Sequence, residues 1–125
     1  MSFKIIGPSF LSIQVSDIER SKIFYTEVLG LEIDPKGPPH AYVFRTEPIA
    51  FAIREPNTDL NASTKLGWGV APWFRVNNVR ELYDRIKSSE GRILADIQPG
   101  PFGDFFTFQD LDGYTLTAHE AVDEN

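Results

Sequence analysis

VSDIERSKIFYTEVLGLEI (15–33) decides the fold, because VNNVRELYDRIKSSEGRIL (76–94) repeats its plan. Aligned without a gap, Val15 falls on Val76, Ile18 on Val79, Tyr25 on Ile86 and Gly30 on Gly91. Each copy reads as the end of a strand, a capped helix, a glycine stop and a new strand. Ser16 with Glu19, and Asn78 with Glu81, have the N-cap and N3 spacing of a capping box. Val79, Leu82, Tyr83 and Ile86 recur at the spacing of one apolar helix face. Gly30 and Gly91 stand where a left-handed C-terminal cap is expected.

Around the helices the apolar period changes to two. Leu11, Ile13 and Val15 alternate with Phe10, Ser12 and Gln14; Ile49, Phe51 and Ile53 alternate with Ala50, Ala52 and Arg54. Pro72, Phe74 and Val76 alternate with Ala71, Trp73 and Arg75; Tyr114, Leu116 and Ala118 alternate with Thr115, Thr117 and His119. Such alternation sends one set to the helix-packed face of a sheet and the other to the opposite face. Two copies of strand, helix and three strands make an α+β domain. Module one covers about 5–56 and module two about 68–121. The segments 37–41 and 56–67 read as loops on their Pro, Gly, Asn and Ser content, and the acidic residues past Ala121 as a frayed tail.

Composition excludes several function classes. A length of 125 residues, 42% of them hydrophobic, suits one folded domain. With no cysteine there are no disulfides and no thiolate metal sites. A formal charge of −6 argues against a nucleic-acid partner. The N-terminal MSFKIIGPSFLSI is a poor signal peptide, no run reaches the length of a membrane span, and a cytoplasmic location is expected.

The pattern V-x-D-x-x-x-S-x-x-F-Y-x-x-x-L-G-L, present as VSDIERSKIFYTEVLGL (15–31), resembles the first module of the vicinal oxygen chelate superfamily. That superfamily holds glyoxalases, extradiol dioxygenases, fosfomycin-resistance enzymes and bleomycin-resistance proteins. VNNVRELYDRI (76–86) and PFGDFFTFQDLDGYTLT (101–117) resemble its second module, most closely that of the bleomycin-resistance branch. The resemblance implies paired βαβββ modules whose curved mixed sheets enclose a cavity, commonly completed in a homodimer. It also implies where a metal would be held: a His seven residues before Asp17, a carboxylate on the last strand of module one, a ligand seven residues before Asn78, and a Glu four residues after Gly113. Those positions carry Phe10, Ala50 or Ala52, Ala71 and Thr117, none of them a usual ligand.

A catalytic zinc or iron site needs about three His or carboxylate ligands and an open position. The chain has only two histidines, His40 in a Pro-rich loop and His119 near the end of the last strand. Asp110 and Asp112 precede a glycine in D-x-D-G spacing, which lacks the later acidic ligand of a calcium loop and reads as a hairpin turn. No metal or other cofactor is therefore expected.

What remains is a cavity lining. Phe10, Ser12, Gln14, Arg54, Trp68, Trp73, Arg75, Phe105, Thr117 and His119 are the expected ligand-binding residues: aromatic walls with a few polar points, suited to a flat, partly apolar small molecule. The net charge favours a cationic ligand by steering, whereas Arg54 and Arg75 suit an anion. Three functions fit. One is a metal-free binding protein of the bleomycin-resistance type, needing only affinity. Another is a glyoxalase-like lyase or dioxygenase with displaced metal ligands. The third is a structural or regulatory module whose cavity is filled by its own aromatics. The expected partners are a small molecule and a second copy of the chain, with no nucleic acid and no membrane.

Overall fold

In the computed structural model, which describes residues 2–120, each copy of the repeat folds as one sheet with one helix across it. Module one contains β1 (Phe10–Gln14), α1 (Ile18–Ile23), β2 (Ala41–Phe44) and β3 (Ala50–Arg54), in the sheet order β1-β3-β2. Module two contains β4 (Trp73–Val76), α2 (Val79–Lys87), β5 (Arg92–Gln98), β6 (Phe105–Gln109) and β7 (Thr115–Glu120), in the order β4-β7-β6-β5. In both, the strand before the helix pairs in parallel with the last strand: Phe10 lies opposite Ala50, and Trp73 opposite Thr117. The fold is the α+β arrangement of two related modules.

The repeat is imperfect, and each departure has a local cause. The second strand of module one shrinks to a bridge between Ile33 and Phe44. Pro35 has no N–H to continue the ladder, and Asp34 instead starts a turn, accepting from Gly37 N at 3.3 Å and, through its side chain, from Lys36 N at 3.0 Å. The N-cap of α1 is Asp17 rather than Ser16: the Asp17 carboxylate accepts from Arg20 N at 3.1 Å, while Ser16 N donates to Asp112 at 3.0 Å. Asn78 caps α2 as expected, accepting from Glu81 N at 3.1 Å. Beyond Ile23 the first helix continues as a π-helical segment, Phe24–Val28, ending before Gly30 at φ +76°.

Gly91 is not a left-handed cap. A Cβ there would lie 2.8 Å from the Phe24 ring and 3.2 Å from the Ile86 side chain, so its glycine is a matter of close packing between modules.

The strand alternation holds. Ile13, Val15, Phe51, Ile53, Phe106, Phe108, Leu116 and Ala118 are buried under the helices with Phe24, Tyr25, Val79, Tyr83 and Ile86, in one core shared by both modules. Phe51 and Phe74 meet edge-to-face across the two sheets, ring centroids 5.3 Å apart.

A polar staple adds direction to this packing. Asp110, 5% exposed, accepts the Tyr25 hydroxyl at 2.7 Å and the backbone N–H groups of Asp112 at 3.0 Å and Tyr114 at 2.9 Å. The Tyr114 hydroxyl donates to the Gln14 carbonyl at 2.6 Å. Desolvation raises the Asp110 carboxyl above its ordinary value, with the bonds from Tyr25 and the turn amides opposing. Burial and the neighbouring Asp110 hold the Tyr25 phenol well above its ordinary value. The D-x-D-G stretch is thus the expected β6–β7 turn, closed by Gly113 N to Asp110 O at 3.2 Å with Gly113 at φ +92°. It also ties module two to the first strand and helix of module one.

In their sheet orders β1 and β4 are both edge strands. A cavity lies beside each of these two open edges.

Candidate functional site

The site is built on β4 and β7. Trp73 and Arg75 alternate with the inward Phe74 and Val76, and the register sets Arg75 beside His119 and Trp73 beside Thr117. Phe105 is paired with His119 on the next strand. Four rings therefore gather on one face of module two. Trp73 lies 5.6 Å from Phe105 (tilted), 5.9 Å from His119 and 6.0 Å, edge-on, from Phe102. Trp73 remains 43% and Phe102 61% exposed, so this cluster is a wall open to solvent rather than a closed core.

The His119 ring is oriented by one backbone contact. Its Nδ1 is 2.9 Å from the Phe102 carbonyl oxygen, which can only accept. The neutral ring consequently carries its proton on Nδ1 and offers Nε2 as an acceptor.

Beside this wall lies a cavity of about 900 Å³ that wraps round the open edge of β4. Trp73, Arg75 and His119 line it from the outer face; Leu11, Phe51, Phe74 and Leu82 line it from the core side; Leu29, Leu31 and the turn Thr46–Ile49 close it from module one. A space of this size with mostly apolar walls and few polar groups matches a small-molecule pocket. Leu29, Leu31, Thr46 and Glu47 were not among the residues expected from the sequence to line the site. Their place in the cavity depends on the packing of one module against the other, which no local pattern encodes.

The structure brings together only some of the expected binding residues. Trp73, Arg75 and His119 share the cavity, with Phe105 backing Trp73. Ser12 and Gln14 line a second cavity of about 390 Å³ between β1, β7 and the linker. The Gln14 Oε1 there accepts from Asn57 N at 2.9 Å and from the Thr58 hydroxyl at 3.1 Å, which pins the linker. Arg54 turns its Nε to the Glu55 carbonyl at 3.1 Å. Phe10 is 53% exposed and lines neither cavity, and Thr117 is buried at 5%. Trp68 is 76% exposed, has the Lys65 ammonium 4.2 Å above its ring, and also stands outside both linings.

The residues at the superfamily's metal positions do not fit a metal. Phe10, Ala50, Ala52 and Ala71 have no side-chain donor, and Thr117 offers only one hydroxyl. Among the described residues no group of three His, Asp or Glu converges on a point. His40 pairs with Glu55 at 2.8 Å and does not line the cavity. Asp110 and Asp112 spend their oxygens on Tyr25, Ser16, Ser21 and turn amides.

A family model described as the Glyoxalase/Bleomycin resistance protein/Dioxygenase superfamily matches residues 7–117. A lactoylglutathione lyase of Salmonella typhimurium is 28% identical over 127 aligned positions, covering 89% of this chain and 90% of that protein. Among solved structures, the fosfomycin resistance protein FosX of Listeria monocytogenes, complexed with Mn(II) and sulfate ion, superposes with a TM-score of 0.73 at 18% identity, covering 97% of this chain and 94% of that one. A glyoxalase/bleomycin resistance protein/dioxygenase family enzyme of Burkholderia phytofirmans PsJN gives a TM-score of 0.73 at 13% identity, covering 91% of this chain and 98% of that one. At these identities the structural likeness speaks for the fold alone.

Proposed function

The chain belongs to the glyoxalase/bleomycin resistance protein/dioxygenase superfamily, and we propose that within it this protein is a metal-free binder of the bleomycin-resistance type, sequestering a flat, partly apolar small molecule. The observation that carries this reading is the contrast between two sets of positions. The four metal positions hold Phe10, Ala50 or Ala52, Ala71 and Thr117, while the adjoining cavity edge keeps an exposed indole in an aromatic wall. Sequestration needs affinity and copy number, not a reacting group.

In this reading the protein works in the cytoplasm as a homodimer. Phe10 and Trp73, exposed on the outer faces of their sheets, are the surface that a second copy would help to cover. Light scattering after size exclusion tests this, with a dimer expected at micromolar concentration.

A second reading is supported by the 28% identity to a lactoylglutathione lyase across most of the chain. It makes the protein a metal-dependent lyase or dioxygenase whose ligands have moved off the usual strands, with His119 among them. Thermal unfolding of EDTA-treated protein separates the two. Zn²⁺, Ni²⁺, Mn²⁺ and Fe²⁺ are each expected to leave the midpoint unchanged. An aromatic ligand at a hundredfold over its Kd should raise stability by about 2.7 kcal/mol, a shift of several degrees in a domain this size. A metal-dependent shift abolished by His119→Ala would establish the second reading instead.

A further inference from the structure

Resting on the reading of the β4 cavity as a small-molecule site, we infer that its ligand class is an aromatic carboxylate, with Arg75 as the anchor for the acid group. The cavity is lined by only one guanidinium, that of Arg75, and among the described residues this side chain makes neither an ion pair nor a hydrogen bond. Of the other arginines, Arg20 pairs with Glu90, Arg45 with Glu32 and Arg80 with Asp84, and Arg54 and Arg85 donate to backbone carbonyls; among the described residues Arg92 is likewise unpaired, but it lines neither cavity. In a chain with 18 acidic against 12 basic side chains, an unpaired arginine at the rim of an apolar cavity stands out.

Its setting supplies the rest of the specificity. Arg75 is two residues from Trp73 on the same strand face and directly across from His119. A planar ring laid on the Trp73 indole therefore sits within a few ångströms of a planar, two-pronged donor suited to a carboxylate. His119 Nε2 adds an acceptor for a ligand N–H or O–H.

One group opposes this assignment. Glu47 also lines the cavity and lacks an ion pair among the described residues, so it could select a cation. It stands, however, in the exposed β2–β3 turn of module one and not on the strands that carry the aromatic wall, whereas Arg75 is held by the sheet that carries Trp73. The carboxylate therefore follows from which charge adjoins the ring platform.

Isothermal titration of the full chain with 2-naphthoate, 2-naphthamide and 2-naphthylmethylamine tests it. The acid is expected to bind about tenfold or more tightly than the amide, the range for hydrogen bonds to a charged group. Arg75→Gln should remove that preference by weakening the acid far more than the amide, and Arg75→Lys should keep part of it. Equal binding of acid and amide, both lost in Trp73→Ala, would overturn the carboxylate assignment while upholding the aromatic site. Tighter binding of the amine, reversed by Glu47→Gln, would overturn it in favour of a cationic ligand. Binding of none of the three would overturn it together with the proposed aromatic site.

Discussion

The β6–β7 turn and the outer face around Trp73 differ in where their side chains find partners. The turn gathers two aspartates and a glycine in a spacing that suggests ion chemistry. Yet every oxygen of Asp110 is occupied by a protein donor, and the residue is buried against Tyr25. The Trp73 face, read from the sequence as a cavity lining, leaves an indole, a phenyl ring and a guanidinium open beside a cavity. A polar group whose partners are all internal maintains the fold; an apolar or charged group left without partners is the one available to a ligand.

Removing the buried carboxylate strains this contrast most. Asp110→Ala leaves the Tyr25 hydroxyl and two turn amides without their acceptor, and should lower stability by about 3 kcal/mol, measured by urea unfolding. Asp110→Asn should cost much less, since its oxygen can keep the two amides while its NH₂ donates to the Tyr25 oxygen. If Asp110→Ala were neutral, the turn would not be a staple.

Tyr25→Phe comes next, at about 1–2 kcal/mol, because one oxygen of a buried carboxylate loses its donor. Trp73→Ala should behave in the opposite sense: a stability loss of about 1 kcal/mol or less, consistent with its exposure, but loss of aromatic ligand binding by titration. A Trp73 variant that binds normally would remove the site from this face.

The smallest expected effect is a pH slope. Asp110 has its carboxyl raised in the folded state, so the native protein holds this proton more tightly than the unfolded chain. Its contribution is fully present below the ordinary carboxylate value of about 3.9 and is lost as pH rises through the folded value. Stability measured across that window should fall with pH in the wild type, on this group's account, and the slope should flatten in Asp110→Asn.

Much of the architecture was legible because it rests on local rules. The strand alternation around Ile13, Phe51, Phe74 and Leu116 correctly separated the two sheet faces, and Asn78 and Gly30 marked helix ends as expected. The departures lie where long-range contact overrode a local preference. Ser16 was drawn away from capping by Asp112, and Gly91 is glycine because Phe24 of the other module presses on it. The candidate site was legible in half. Trp73, Arg75, Phe105 and His119 lie on the face that alternation assigned to them, whereas Gln14 and Arg54, on an equivalent face, are spent on the linker and a backbone carbonyl. Periodicity tells which way a side chain points, not what it meets there.

Backbone ¹H–¹⁵N spectra recorded during titration with 2-naphthoate test the division between the two regions most directly. The account predicts shifts concentrated at Trp73, Arg75, Leu82 and His119, with the amides of Asp110, Asp112 and Tyr114 unmoved. Shifts centred on the Asp110–Tyr114 turn, with β4 silent, would contradict it.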